Sequence, residues 1–150
     1  MEASVDEKDK AILDILKDHG DFTTRQISGK TLLPITTIHN RIKKLKEQKV
    51  IKKFTVEIDN SKIGKSFSAY VLVSVNLAVL KQKRKTQYDL AEEIKALHFV
   101  ERVDIVSGGT DLVVLVRVSD VQEFDKVLLG KIQLLEGIDR TQSLIVIHGC

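Results

Sequence analysis

The spacing of the apolar residues changes near Val50, and this change divides the chain into two parts that must fold differently. Before Val50 the apolar side chains recur every three or four residues, the period of an amphipathic helix, whereas after it they alternate as in a half-buried strand. A chain of 150 residues suits one ordinary domain or two small ones. We therefore predict an α+β protein with a helical domain at residues 1–53, a strand and hinge at 54–66, and a second domain at 67–150.

The helical part begins with two short helices whose ends are marked by capping residues. Asp6 can cap the first helix, and Gly20 stands at the C′ position that glycine favours after a helix. Thr23 and Gln26 have the spacing of a capping box, so a second helix is expected to begin there and to end at residue 28 or 29.

A third helix is expected from Pro34, because the missing N–H of proline costs nothing in the first turn of a helix. Ile38, Ile42 and Leu45 then lie on one apolar face. Three helices in this order predict a helix-turn-helix domain. A strand of the winged type is predicted from the nearly alternating residues Ile51, Phe54, Val56 and Ile58.

The second part predicts the order β-α-β-β-α-β, the ferredoxin-like plan, with a four-stranded antiparallel sheet that has helices on one face. The predicted elements are a strand at 68–77, a helix at 85–97, a strand at 100–107, a tight turn at 108–111, a central strand at 112–118, a helix at 120–129 and a strand at 140–147. Tyr70, Leu72 and Ser74 would lie on the face without helices. An apolar sheet face of this kind predicts a dimer interface.

Positive charge is concentrated in the segment from Phe22 to Lys53. This segment holds nine Lys or Arg and one acid, Glu47, so it carries +8 although the whole chain carries +3. A merely solvated helix surface usually mixes both signs, because opposite charges one turn apart stabilise a helix. The lack of compensating acids therefore favours a polyanion partner, most often a nucleic acid.

The third predicted helix has the arrangement that a DNA-contacting helix needs. Small polar side chains near its start can reach base edges, and basic side chains further along can hold phosphates. The residues expected to contact base edges are Thr36, Thr37, His39 and Asn40. Those expected to contact the DNA backbone are Arg41, Lys43 and Lys44 in the same helix, and Thr23, Thr24 and Arg25 at the start of the second helix.

Several segments occur in a familiar order and spacing. They are Asp6 to Leu16, Arg25-Gln-Ile-Ser, Thr37 to Leu45, Val50-Ile51, Ser107-Gly-Gly-Thr-Asp-Leu and Thr141-Gln-Ser-Leu-Ile-Val-Ile. Together they resemble the Lrp/AsnC family of transcription regulators (leucine-responsive regulatory and asparagine-synthase regulatory, or feast/famine, proteins) over nearly the whole chain. The chain departs from the family pattern at Pro34, where a capping serine is usual, and at Lys49, where glycine is usual.

The resemblance implies that the second domain binds an effector and joins chains into oligomers. In the family, the loop that corresponds to residues 107–111 lies near an amino-acid site at a contact between dimers. The effector-binding residues implied are Ser107, Gly108, Gly109, Thr110 and Asp111, followed by Thr141 and Ser143. The alternative is a plain hairpin turn, which also needs Gly and Asp. The expected partners are double-stranded DNA, a small amino-acid effector and further copies of the chain, in a homodimer or a higher oligomer such as a tetramer or octamer.

Other classes of function fit the sequence less well. The four histidines have no common metal-binding spacing, and no phosphate loop or nucleophile elbow is present, so no catalytic residue, metal or cofactor is expected. A small-molecule sensor that acts through protein contacts would explain the second part equally well, but not the +8 segment. The single cysteine, Cys150, and the lack of a long apolar run favour a cytoplasmic protein without a membrane partner.

Overall fold

The computed structural model of the chain describes residues 5–149. These residues form two compact units, with the boundary between Ile58 and Asp59. Across the described range, no helix is both long enough and apolar enough to cross a membrane. Cys150 lies outside the described residues.

The first unit is helical and is built around a small apolar core. Residues 5–58 form three helices, α1 (Glu7–Asp18), α2 (Thr24–Thr31) and α3 (Ile35–Glu47). Ile12, Ile27 and Ile38, one from each helix, are fully buried and form the centre of this core. The predicted helix-turn-helix arrangement is confirmed.

Reciprocal hydrogen bonds fix the starts of α1 and α2. The Asp6 carboxylate accepts from the backbone N–H of Asp9 at 2.9 Å, and the Asp9 carboxylate accepts from the N–H of Asp6 at 3.1 Å. Thr23 and Gln26 form the same kind of pair at the start of α2. Both predicted caps are therefore present. Each pair supplies acceptors to N–H groups for which the helix itself has none.

α2 is longer than predicted, because Gly29 does not end it. The helix continues to Thr31, whose hydroxyl donates to the carbonyl of Ile27 at 2.9 Å. An exposed glycine inside a helix costs about 1 kcal/mol, too little to stop a helix that is anchored by the buried Ile27. The helix ends at Leu32, which takes the left-handed conformation.

The strand predicted between Ile51 and Ile58 is wrong, since no sheet forms in the described part of the first unit. The backbone N–H and C=O groups of a strand need a neighbouring strand, and residues 5–50 of this unit supply helices and turns. Phe54, Val56 and Ile58 alternate with polar residues in the sequence, but their side chains are all exposed.

The second unit is an antiparallel sheet with helices on one face. After a 3-10 turn at Asn60–Ile63, its elements are β1 (Phe67–Val75), α4 (Leu77–Gln82), α5 (Gln87–Lys95), β2 (Val100–Ile105), β3 (Leu112–Val118), α6 (Val121–Val127) with a π-helical turn at Leu128–Ile132, and β4 (Ile138–Ile145). The four-stranded order β2-β3-β1-β4 confirms the predicted ferredoxin-like plan, with β3 in a central position.

The short helix α4 is absent from the sequence-based prediction. Asn76 follows β1 and caps α4 by accepting from the N–H of Val79 at 3.1 Å, so the predicted strand at 68–77 ends two residues early. Because α4 has only six residues, its helical period is hardly visible in the sequence. Close packing holds it in place, since a Cβ on Gly137 (φ +100°) would lie 2.2 Å from Leu80 Cδ2.

The two faces of the sheet differ in their cover. On the helix side, Val71 of β1 and Val114 of β3 are fully buried. On the other side Tyr70 of β1 is 43 % exposed, between Leu115 of β3 and Leu144 of β4 in the pairing register. The face that was predicted to lack helices is therefore uncovered in the single chain, and we call it the open face.

Candidate nucleic-acid interface and second-domain cleft

α3 has one buried and one exposed face. Ile38 and Leu45 are buried, and Ile38 packs with Ile12 and Ile27 of the other two helices. Thr37 is half-buried. The predicted DNA-contacting residues of α3 that are exposed are Thr36, His39, Asn40, Lys43 and Lys44. The side chains predicted to reach base edges thus precede the lysines along one accessible surface, which we call the α3 outer face.

The start of α3 has an unusual cap. Pro34 is the N-cap residue, one position before the first turn in which the sequence pattern places it. A proline side chain has no oxygen that could accept from the first N–H groups of the helix. Those N–H groups and the positive end of the helix dipole favour an anion at this end of α3.

The end of α3 shows the backbone strain that the sequence implies. Lys49, which stands where the related family has glycine, has a φ of +56°. This left-handed conformation is unfavourable for a residue with a Cβ. Lys49 is exposed, so its charge is accessible beside the α3 outer face.

The start of α2 uses part of its predicted DNA contacts for its own cap. Thr23 Oγ1 accepts from the N–H of Gln26 at 3.3 Å and donates to the side-chain oxygen of Gln26 at 3.0 Å. Thr24 is half-buried and Arg25 is exposed. Among these three residues, Arg25 therefore presents the accessible charge.

Arg41, which was predicted to contact the DNA backbone, takes part in an ion cluster within the first unit. Its Nη1 lies 2.8 Å from both carboxylate oxygens of Asp6 and 2.8 Å from Asp9 Oδ1. Asp9 is only 2 % exposed, and a buried carboxylate requires a partner that donates hydrogen bonds or carries opposite charge. Arg41 thus ties α3 to the first turn of α1.

This ion cluster also shifts two pKa values. The backbone N–H of Asp9 and the guanidinium of Arg41 lower the pKa of Asp6 to about 2. Hydrogen bonds to Asp6 and Asp9 raise the pKa of Arg41. Both groups are charged at neutral pH, so the two acids compensate the charge of Arg41. The positive charge on the α3 outer face then comes from Lys44 and from Lys43, whose Nζ lies 4.0 Å from the exposed Glu47 carboxylate.

The loop between β2 and β3 is held against the end of β1. The carboxylate of Asp111 accepts from the N–H of Val75 at 2.8 Å, and the hydroxyl of Thr110 donates to the carbonyl of Val73 at 3.0 Å. The N–H of Asp111 donates to the same carbonyl at 3.0 Å. The six residues 106–111 therefore form a loop longer than the predicted tight turn, and the polar groups of Thr110 and Asp111 position it.

A cleft of about 310 Å³ lies on the second unit where this loop meets the open face. It is lined by Leu72, Ser74, Gly109, Thr110, Arg140 and Gln142. Gly109 and Thr110 are among the predicted effector-binding residues; Ser107 and Gly108 are exposed in the same loop. The sequence analysis predicted Leu72 and Ser74 only for the open face and did not identify Arg140 and Gln142, which the register of β4 against β1 brings to the cleft.

Thr141 and Ser143 lie on the opposite side of the sheet from this cleft. They pair with Val73 and Val71 of β1, whose side chains are buried under the helices. In addition, Gln133 Nε2 donates to Thr141 Oγ1 at 2.8 Å. These two predicted effector-binding residues therefore do not join the cleft that Arg140 and Gln142 line.

The second basic cluster of the chain, Lys81 to Lys85, is partly neutralised. Lys83 Nζ lies 2.9 Å from the Glu136 carboxylate, and Lys85 Nζ lies 2.7 Å from that of Glu93. Two of the four basic side chains of this cluster are therefore paired with acids of the second unit.

Two family models match the chain. A winged helix-turn-helix DNA-binding model matches residues 5–52, and an Lrp/AsnC ligand-binding-domain model matches residues 68–149. The HTH-type transcriptional regulator FL11 of Pyrococcus horikoshii is 35 % identical over 147 residues, which are 98 % of this chain and 92 % of the relative. An uncharacterised HTH-type transcriptional regulator of Pyrococcus furiosus is 30 % identical over 145 residues, 97 % of this chain and 94 % of the relative.

Solved structures share the fold. A transcriptional regulator from Neisseria meningitidis in complex with L-methionine superposes with a TM-score of 0.87 at 21 % identity, covering 97 % of this chain and 91 % of the other. A feast or famine regulatory protein from M. tuberculosis, also complexed with L-methionine, gives 0.85 at 21 % identity, with 97 % and 94 % covered. E. coli AsnC gives 0.82 at 19 % identity, with 98 % and 95 % covered.

Proposed function

The chain belongs to the Lrp/AsnC family of transcriptional regulators, and from this we propose how its two domains divide the work. The DNA-binding domain (residues 1–53) places α3 in the major groove of duplex DNA. A hinge at 54–66 joins it to the domain at 67–150, which pairs chains and binds a small effector. The observation that carries the DNA contact is the α3 outer face, where polar side chains are followed by lysines opposite the buried Ile38 and Leu45.

The α3 outer face supports a division between base contacts and phosphate contacts. Asn40 is exposed in the second turn of α3, and its amide can bond adenine through two hydrogen bonds. Thr36 is exposed one turn earlier, where its methyl group and hydroxyl can both reach a base edge. Lys43 and Lys44 hold the phosphates that flank these bases. Arg41, whose guanidinium is held by Asp6 and Asp9, stabilises the domain.

The open face supports pairing of the second domains. Tyr70 on the central strand β1 and Leu144, its neighbour on the edge strand β4, keep about half of their surface exposed. Two such faces packed against each other would bury apolar surface and set two DNA-binding domains at a fixed spacing. A homodimer, and from it a tetramer or octamer, is the assembly we propose.

The cleft at the edge of the open face supports an amino-acid effector. The guanidinium of Arg140 can bind a carboxylate in a forked, two-bond geometry, and Ser74 and Gln142 can hydrogen-bond an ammonium group. Leu72 gives one apolar wall to the side chain of the ligand. The cleft volume of about 310 Å³ is at the lower limit of small-ligand sites, in keeping with an amino acid.

The DNA contact is tested with the full chain and a pool of randomised duplexes. We expect recovery of sites with approximate two-fold symmetry and half-sites about 10 bp apart, or a multiple of that spacing. The affinity for a recovered site should fall steeply between low and moderate salt, because phosphate contacts release counterions. A pool without enrichment, or an affinity that salt hardly changes, would instead favour a sensor that acts through protein contacts.

The effector is tested by the mass of the oligomer in solution, measured alone and with each of the common amino acids. At least one amino acid is expected to change the mass or the DNA affinity of the wild type. Arg140→Ala should abolish that response and leave the DNA-binding domain folded. A response that survives in Arg140→Ala would place the effector elsewhere.

A further inference from the structure

Leu32, in the turn between α2 and α3, is the least protected leucine in the described part of the chain. It is 89 % exposed and has φ +59° and ψ +17°, the left-handed conformation. A leucine is unfavourable there in two respects, because its Cβ strains the backbone and its apolar side chain stays in water. Glycine or asparagine would form the same turn more easily.

The neighbouring residues hold this turn in place. The hydroxyl of Ser28 donates to the carbonyl of Leu33 at 2.6 Å, and the N–H of Leu32 donates to the carbonyl of Ser28 at 2.8 Å. Leu33 packs against the core of the first unit. With the helix end and Leu33 both anchored, the Leu32 side chain stays in solvent, so burial in the core of this domain does not account for a leucine at this position.

The position of Leu32 relates it to the DNA contact. It lies two residues before Pro34, at the same end of α3 as Thr36, and Ile35, the first residue of α3, is 43 % exposed. In a helix-turn-helix protein this end of the recognition helix meets the base edges. The apolar group that base pairs display in the major groove is the 5-methyl group of thymine.

We propose that Leu32 packs against the 5-methyl group of a thymine in the major groove and thereby contributes to sequence selection. The proposal rests on the docking of α3 described above and adds a residue to it. DNA is favoured over a protein partner because Leu32 lies within the segment of +8 net charge between Phe22 and Lys53. That field attracts a polyanion to the surface from which Leu32 projects.

The test replaces single thymines by deoxyuridine, which differs only in lacking the methyl group. Duplexes recovered from the randomised pool by the wild-type full chain are resynthesised with one dT→dU change at a time. In each half-site, one thymine position is expected to be sensitive. A single dT→dU change at that position should weaken wild-type binding by about fourfold, the factor for one methyl-sized apolar group. With Leu32→Gly and Leu32→Asn the same change should have no effect, while both variants melt at a higher temperature than the wild type.

The matched control is Lys49→Gly, which relieves the same left-handed strain at the other end of α3, where φ is +56°. It should also raise the melting temperature, weaken all duplexes alike and keep the wild-type response to dT→dU. The proposal is overturned if the effect of every dT→dU change is the same in the wild type and in Leu32→Gly. A Leu32→Gly variant that weakens all duplexes equally, or that changes only protein assembly, would give this result. A wild type that selects no sequence would overturn the docking of α3 together with it.

Discussion

Arg41 shows how a basic residue within a DNA-binding helix can serve the fold. Its guanidinium pairs with the buried carboxylate of Asp9 and the half-exposed carboxylate of Asp6, which lie in the first turn of α1 and at its N-cap. Such a cluster is costly to break at one member only, because the others keep their charges without a partner. Arg41 therefore fixes the orientation of α3 relative to α1, while Lys43 and Lys44 are exposed to solvent.

Replacement of Arg41 separates stability from DNA contact. We expect Arg41→Ala to lower the melting temperature of the DNA-binding domain by several degrees, because Asp9 would remain buried without its cation. Lys44→Ala, at an exposed position of the same helix, should leave the melting temperature nearly unchanged. Thermal unfolding of both variants checks this. Equal melting temperatures for Arg41→Ala and the wild type would contradict the structural role of Arg41.

Replacement of Asn40 and of Lys44 separates specificity from affinity. Asn40→Ala should cost about 1–3 kcal/mol on the best duplex and relax the preference at one base position. Lys44→Ala should weaken all duplexes alike and reduce the slope of affinity against salt by about 1. Binding isotherms on matched and mismatched duplexes at several salt concentrations distinguish the two. If both variants behave identically, the assignment of base and phosphate contacts fails.

Acid should weaken the DNA-binding domain through Asp6. Because the pKa of Asp6 is lowered from 3.8 to about 2 in the folded state, its contribution to stability is complete above pH 3.8 and is lost as the pH falls towards 2. In Asp6→Asn this part of the pH dependence should disappear, although asparagine still caps α1. The control is Asp21→Asn, which removes an exposed carboxylate and should keep the wild-type profile.

The measurement has to follow the first domain separately. Both tyrosines, Tyr70 and Tyr88, belong to the second unit, so their signals report only on that domain. Backbone amide resonances of Ile12 and Ile27, in the core of the first domain, supply the required probe between pH 2 and 5. A wild type and an Asp6→Asn variant with parallel profiles would refute the prediction.

The helices and strands differ in how far local sequence determines them. The starts of α1 and α2 are predictable because each cap involves residues three positions apart, as in Asp6 and Asp9. The segment from Ile51 to Ile58 has the sequence of a strand, but pairing is a non-local property and no sheet forms there. For the same reason, the cleft could be predicted at Gly109 and Thr110, but not at Arg140, which reaches it through the register of β4.

The packing of α4 depends on Gly137. Gly137→Ala would place a methyl group 2.2 Å from Leu80 Cδ2 on a backbone with φ +100°. We expect a loss of about 2–4 kcal/mol in the stability of the second domain, from left-handed strain and overpacking together. Gly130→Ala is the control, since its Cβ would meet no atom of the described structure within 4 Å. Denaturant unfolding followed by tyrosine emission measures both, and equal midpoints would contradict the close packing of α4.

For the molecule as a whole, the open face should determine the number of DNA-binding domains that act together. One such domain has a core of a few buried residues and a contact area too small for tight specific binding. Pairing of second domains would supply another α3 at a fixed distance. The effective concentration of the second α3 then raises the affinity for a two-half-site duplex without any new contact.

A charge on the open face tests this assembly. Leu144→Glu, at a position that is 47 % exposed, should leave the single chain folded and convert the oligomer to monomers. The affinity of Leu144→Glu for a duplex with two half-sites should then fall to its affinity for a duplex with one half-site. The control Leu134→Glu changes an exposed leucine outside the sheet and should preserve the mass. Sedimentation equilibrium checks both variants, and an unchanged mass for Leu144→Glu would exclude pairing through the open face.

One strand, β1, contributes to both the cleft and the pairing surface. Leu72 and Ser74 line the cleft, and Tyr70, two residues earlier on the same side of the sheet, lies in the middle of the open face. In the assembly proposed above, a coupling between effector binding and chain association through β1 would be reciprocal, so that each would change the free energy of the other by the same amount. The dissociation constant of such an effector would then depend on the protein concentration at which it is titrated.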